Sequence, residues 1–86
     1  MKIKWEAVAW EEYVNWQTNK AMLKRINLLI KDMQRTPFEG LGKPEPLKHE
    51  LSGYWSRRID EANRIVYRVE DDLIGIYQCG KHYGQH

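Results

Sequence analysis

Apolar residues recur every three or four positions through the first 35 residues of this chain and every second position after residue 54. That change of period separates a helical half from a strand half. The opening run MKIKW alternates apolar and basic residues and predicts a short edge strand over residues 1–5. From Glu6 to about Gln17, Ala9, Trp10, Tyr13, Val14 and Trp16 fall at helical spacing, with Glu11 and Glu12 on another face. Thr18 or Asn19 can cap a second helix, because a side-chain oxygen there accepts from an orphan backbone N–H. This helix carries Met22, Leu23, Ile26, Leu29, Ile30 and Met33 in one stripe, with Lys24, Arg25, Lys31 and Arg35 outside it. Thr36-Pro37 stops it, since the residue before a proline avoids the α region. The two helices form a hairpin whose aromatic stripes are expected in the core.

After a loop over residues 36–53, the alternation puts Trp55, Ile59, Ile65, Tyr67 and Val69 on one buried face of two strands. Residue 60 is then expected opposite 64, with Glu61-Ala62-Asn63 as the turn and Asn63 in its left-handed position. Asp71-Asp72 makes a tighter turn, bringing Ile74 opposite Val69 and Ile76 opposite Tyr67. The other face gathers Tyr54, Ser56, Arg58, Arg64, Arg68 and Tyr77, with Cys79 beside Arg64. Arg57 falls on the apolar face, where the sequence offers it no evident partner. The expected fold is α+β: two N-terminal helices packed on a twisted antiparallel sheet, with a basic and aromatic opposite side.

Composition narrows the picture little. At 86 residues the chain is expected to be one compact unit, residues 1–86, burying about 60–65% of its unfolded surface. The single cysteine, Cys79, forbids an internal disulfide and suits a reducing compartment. No apolar run is long enough to span a bilayer, and acids interrupt the N-terminus where a signal peptide needs a hydrophobic segment. A cytoplasmic protein is expected, with no membrane partner. The net charge of +2 is too small to argue for nucleic acid by itself. The mixture on the open sheet face argues better, because guanidinium forks grip phosphates and aromatic rings stack on bases.

The groups able to do chemistry are Glu45, Lys48, His49, Arg58, Arg64, His82, Tyr83 and His86. No zinc spacing, glycine-rich phosphate loop or serine nucleophile motif is present, so neither a metal nor a cofactor is expected. Glutamate, histidine and arginine together can run acid–base chemistry on an RNA phosphodiester. The adjacent 2′-hydroxyl attacks, a base takes its proton, an acid protonates the 5′-oxygen, and positive charge stabilises the oxyanion. Taken singly, Glu45 reads as a solvated loop acid, His82 as a tail residue and Arg64 as an ion-pair partner of Asp60. The residues alone leave both readings open.

The run TPFEGLGKPEPLKHELSGYWSRRI, then NRIVYRV and the closing KHY, closely resembles the YoeB/Txe toxins of the RelE/ParE superfamily. The likeness extends from MKIKWEAVAWEEYVNWQ to Tyr83. It implies the RelE-like order β-α-α-β-β-β and the toxin role in a type II toxin–antitoxin pair. It also implies ribosome-dependent, metal-free endoribonuclease cleavage of mRNA in the ribosomal A site, leaving a 2′,3′-cyclic phosphate. The implied roles are Glu45 as general base, Arg64 on the scissile phosphate, His82 as general acid and Tyr83 as the adjacent aromatic. Lys48 and Arg58 match accessory RNA-binding positions. A YefM-like antitoxin and a homodimer are the implied protein partners. Relatives often carry Glu-His where this chain has Ala62-Asn63, and the tail Gly84-Gln85-His86 extends past the usual end. In this light Pro44 and Pro46 hold Glu45 by fixing φ on both sides, with Gly40 and Gly42 allowing the approach. A bulge at Gly80 is expected to bring His82 onto the open face, because strict alternation from Tyr77 would send it to the apolar side. The alternatives are a ParE-like toxin that only binds a protein target such as gyrase, and a plain RNA-binding module.

Overall fold

The computed structural model describes residues 1–81. Strand β1 (Lys2–Trp5) leads into helix α1 (Ala7–Asn15), one 3-10 turn at Trp16–Thr18, and helix α2 (Lys20–Arg35). Asn19 is the α2 cap, its side chain accepting from Met22 N–H at 3.1 Å. The helix ends where Thr36 N–H donates to Asp32 O at 2.8 Å and Pro37 follows. A two-residue strand β2 (Glu45–Pro46), a 3-10 turn at His49–Leu51, and strands β3 (Trp55–Arg58), β4 (Asn63–Glu70) and β5 (Leu73–Lys81) complete the order. None of the described helices is long and apolar enough to cross a membrane.

The strands form one sheet in the order β1-β5-β4-β3-β2. The α+β class stands, with one addition: β1 runs parallel to β5, pairing Ile3 with Ile74 and Trp5 with Ile76, so the sheet is mixed. The short β2 lies at the other edge, inside the segment expected to be only a loop. Pro46 costs nothing there, because an edge strand need not donate on both sides. Ala9, Ile26, Leu29 and Met33 from the helices pack with Ile59, Ile65, Tyr67, Ile74, Ile76 and Cys79 from the sheet side. The α2 stripe and the alternating face of β3 and β4 are thus where the sequence puts them. On α1 only Ala9 is buried; Trp10 and Val14 remain 49% and 45% exposed and are not core.

Three details of the sheet differ from the sequence reading. The β3–β4 pairing is two residues shorter than expected: Arg58, not Asp60, faces Arg64. The even shift preserves the faces. The turn is therefore Asp60-Glu61-Ala62, and Asn63 is strand, with no positive φ. Asp60 stabilises it by accepting from Ala62 N–H at 2.9 Å and Asn63 N–H at 2.8 Å. The Asp71-Asp72 hairpin forms in the expected register, with Asp71 at φ 49°. Beyond it a β-bulge leaves Tyr77 without a partner, since Tyr67 faces Ile76 while Val66 faces Gln78. The phase thus resets at Tyr77, not Gly80. Cys79 sits in the core opposite Ile65, and Gly80 faces Arg64.

Arg57, without an evident partner in the sequence, is fully buried and fully bonded. Its Nε donates to Tyr67 Oη (3.1 Å), its Nη1 to Asp32 Oδ2 (2.6 Å) and Leu41 O (3.2 Å), its Nη2 to Thr36 O (2.6 Å) and Glu39 O (2.9 Å). A guanidinium has five N–H donors, and each finds an acceptor. Tyr67 passes its own proton to Pro37 O at 2.7 Å. Gly40, at φ 119°, is required because a Cβ there would collide with Asp32 Oδ2.

Asp32 also accepts from Leu41 N–H at 3.0 Å. That bond and the Arg57 hydrogen bond and charge hold its carboxyl below the usual 3.8, outweighing the opposite effect of burial. Removing the carboxylate leaves a buried cation without counter-charge, so Asp32→Ala should cost roughly 3–5 kcal/mol in urea unfolding. Because the folded pKa is depressed, this contribution is complete above the unfolded value and is lost as pH falls through the folded one. Unfolding midpoints should therefore drop on acidification below about pH 4, and less steeply in Asp32→Asn.

Candidate active site

The segment after Gly42 is held at both ends. Arg58 N–H donates to Gly42 O at 2.7 Å, and Leu47 N–H donates to Tyr54 O at 2.9 Å. Gly42, at φ 80°, lies where a Cβ would approach Leu29 Cδ2 to 2.8 Å and Arg58 O to 3.0 Å. Between these anchors Pro44 and Pro46 restrict the backbone on either side of Glu45. Leu47 tucks inward while Glu45 stays exposed. Lys43 and His49 take positive φ of 52° and 58°, so the segment enters and leaves through tight bends. Glu45, Pro46, Leu47, Lys48 and His49 line an open depression of about 260 Å³.

Strand register places three candidate residues on one face. Glu45 is opposite Ser56 on β3; Arg58 follows two residues on; Arg58 is opposite Arg64 on β4. Cross-strand partners and i,i+2 neighbours share a face. Two interstrand steps of about 4.8 Å and one two-residue step of about 6.7 Å put the Cα atoms of Glu45 and Arg64 roughly 12 Å apart. Two long side chains can meet a phosphodiester across that gap. Among the described residues, the Glu45, Lys48 and Arg58 side chains make no hydrogen bond or ion pair.

Arg64 is held differently. Its Nη1 donates to the carbonyls of Asp60 (2.8 Å), Glu61 (3.3 Å) and Asn63 (3.3 Å). The contact with Asp60 is to the main chain, not to the carboxylate. Burial would raise the Asp60 carboxyl, but hydrogen bonds from Asn63 and Ala62 and the Arg64 charge lower it. The Asn63 amide also donates to both Asp60 oxygens, at 3.0 and 3.3 Å. In this chain, then, a braced turn restrains Arg64 through three carbonyls. One guanidinium nitrogen is anchored; the others have no partner among the described residues.

The third part of the expected site lies largely outside the described residues. His82 and Tyr83, read as general acid and adjacent aromatic, follow Lys81 and are not described; nor is the tail Gly84-Gln85-His86. What is described is the strand leading there. Cys79 N–H donates to Glu12 Oε1 at 2.8 Å, and Trp16 Nε1 donates to Cys79 O at 2.9 Å. These helix residues, like Arg57, make backbone contacts that periodicity alone misses. The available signals were a glutamate and a tryptophan one helical turn apart, and a charge on an apolar strand face. Among the described residues no three His, Cys, Asp or Glu side chains cluster to hold a metal ion. A depression of about 570 Å³ beside α2 is lined by Leu28, Lys31, Asp32, Gln34, Arg35 and Leu41 and includes none of the candidates.

A helical hairpin on a sheet of this topology is also the architecture of solved bacterial toxins. A YoeB/ParE toxin from Agrobacterium tumefaciens superposes with a TM-score of 0.91 at 48% identity, covering 96% of this chain and 100% of that one. The YoeB–YefM complex and the YoeB dimer from Staphylococcus aureus superpose at 0.89 and 0.88, both at 46% identity over 96% of this chain and 98% of those chains. Toxin YoeB of Escherichia coli K12 is 58% identical over 84 residues, 96% of this chain and 100% of the relative. Residues 5–83 match the family described as the YoeB-like toxin of bacterial type II toxin–antitoxin system. The chain belongs to that family and is a toxin of the type II class.

Burial, with the Glu12 charge second, pushes the Cys79 thiol up to about 12. Only the thiolate attacks disulfide reagents, so Cys79 should stay silent toward an aromatic disulfide at about pH 8 and react at once when the chain is unfolded. Rapid labelling of the native protein would show that β5 does not hold Cys79 in the core.

Proposed function

We propose that this toxin is a ribosome-dependent endoribonuclease cutting mRNA in the A site, with its side chains carrying the chemistry. The observation that supports the reading is the placement of Glu45, Arg58 and Arg64 on one sheet face, in a chain of the YoeB family. In this reading Glu45 takes the proton from the 2′-hydroxyl, whose oxygen attacks the adjacent phosphorus. Arg64, anchored through one nitrogen, offers its remaining donors to the phosphoryl oxygens as negative charge develops. His82 protonates the departing 5′-oxygen, with Tyr83 beside the reacting group. The products are a 2′,3′-cyclic phosphate and a 5′-hydroxyl, so atoms and protons balance. Lys48 and Arg58 hold flanking phosphates as point charge and fork respectively.

Pre-orientation suits this division of labour. A base restrained between two prolines loses little freedom when RNA arrives, and effective concentration rises accordingly. The acid–base pair is asked to supply roughly 10²–10⁴-fold for each proton transfer. The ribosome supplies the remaining alignment by presenting a single-stranded codon. We extend the reading to partners: an antitoxin of the YefM type and a second copy of the chain, as the S. aureus assemblies suggest. Residues 1–86 then act as one domain in the cytoplasm.

Glu45→Gln, Arg64→Ala and His82→Ala should each fold and bind programmed ribosomes. Cleavage in a translating extract, mapped by message ends, should fall about 10²–10⁴-fold for Glu45→Gln and His82→Ala, and at least about 10²-fold for Arg64→Ala. If all three still cut at the parent rate, the chemistry lies elsewhere. Arrest of replication with messages intact would point instead to a toxin that acts by binding a protein such as gyrase.

A further inference from the structure

Strand β5 outruns the strand beside it. Trp5 is the last β1 residue and pairs with Ile76; Glu6 N–H closes that ladder on Ile76 O at 2.9 Å, and the chain turns away into α1. Among the described residues, no strand lies against the β1-side edge of β5 from Tyr77 onward. Free strand ends open easily, because their backbone groups exchange partners with water. Here α1 takes the place of the missing strand. Glu12 and Trp16, one helical turn apart, accept from the N–H and donate to the C=O of a single residue, Cys79, at 2.8 and 2.9 Å. The Glu12 carboxylate also lies over Gly80, where a Cβ would stand 2.9 Å from Oε2. On the other side, Cys79 and Gly80 are paired with Ile65 and Arg64 of β4. Cys79 is therefore held from both edges, Gly80 beside it faces the arginine, and His82 follows Gly80 by two positions in the chain.

We propose that Glu12 and Trp16 are positioning residues for RNA cleavage: by clamping the backbone of Cys79 they hold the end of β5 in register with Arg64 and set the point from which the segment bearing the general acid departs. The proposal rests on the nuclease reading above. Neither residue donates or accepts a proton in the reaction; both act through the strand. Gly80 belongs to the same device, since a Cβ there would press on the Glu12 carboxylate and displace it from Cys79 N–H.

The test compares Glu12→Gln, which keeps an acceptor oxygen for Cys79 N–H, with Glu12→Leu, which removes it. Trp16→Phe keeps an aromatic ring and removes the donor. Single-turnover cleavage of mRNA on programmed ribosomes is measured against toxin concentration, with thermal melts and amide exchange at Cys79 as readouts independent of activity. Glu12→Leu should speed Cys79 exchange and lower the saturating rate on the order of 10²-fold, without changing the half-saturating concentration. Trp16→Phe should lower the saturating rate in the same sense, and Glu12→Gln should behave as the parent. The proposal is overturned if folded Glu12→Leu and Trp16→Phe cut at the parent rate, or if Glu12→Gln is as impaired as Glu12→Leu. A rate that falls only in step with melting temperature and binding also rejects it, leaving a structural role. If Glu12→Leu fails to fold, Trp16→Phe decides alone. A parent protein that does not cut removes the nuclease reading and this proposal together; a parent that cuts beside unaffected variants removes only this one.

Discussion

The path of residues 36–42 depends on one buried guanidinium. Arg57 holds three main-chain carbonyls of that segment, Thr36, Glu39 and Leu41, while Asp32 neutralises it and Tyr67 caps its remaining donor. A hydrophobic residue of similar volume would avoid the desolvation cost and could leave the domain as stable. It would not define where three carbonyls point. The arginine thus contributes conformational uniqueness, and the effect propagates: the segment ends at Gly42, whose carbonyl is bonded to Arg58 N–H, and Glu45 lies three residues beyond. A lysine would carry the charge but only three donors.

Much of this architecture was legible in the chain, and the misses share a cause. Helix α2 follows from a capping Asn19, an unbroken apolar stripe and a Thr-Pro stop, all local signals. The Asp71-Asp72 hairpin was legible because a two-residue turn fixes register. The Asp60 turn was not, because either pairing keeps the same faces and only the carboxylate's capture of Ala62 and Asn63 N–H selects between them. Arg57 was visible as an anomaly, but its partners lie 10 to 25 residues away and three of them are carbonyls, which sequence does not distinguish. The bulge was expected near Gly80 on the ground that glycine tolerates odd backbone; it occurs at Tyr77, just past the residue where β1 stops pairing.

The candidate site shows the same division. That Arg58 and Arg64 share a face follows from alternation and survives the register correction, since the shift was even, whereas Glu45 joins them through β2, a strand inside the expected loop. How Arg64 is restrained does not follow, because its anchors are main-chain oxygens of a turn whose bounds were misplaced. The tethering of Cys79 by Glu12 and Trp16 was equally hidden: each residue reads as ordinary helix surface or core until α1 is seen to run beside the unpaired end of β5.

The parallel pairing of β1 with β5 has a temporal meaning. Ile3 and Ile74 are neighbours in the sheet, yet every other element is synthesised between them. As the nascent chain emerges, β1 and the helices appear first and wait for a strand made near the end. Closing so long a loop is the slow, entropically costly step of such a topology. The central strand β4, which bears Arg64, is flanked on one side only until β5 arrives. The face that carries Glu45, Arg58 and Arg64 is therefore the part of the sheet whose last neighbour is made at the end of synthesis.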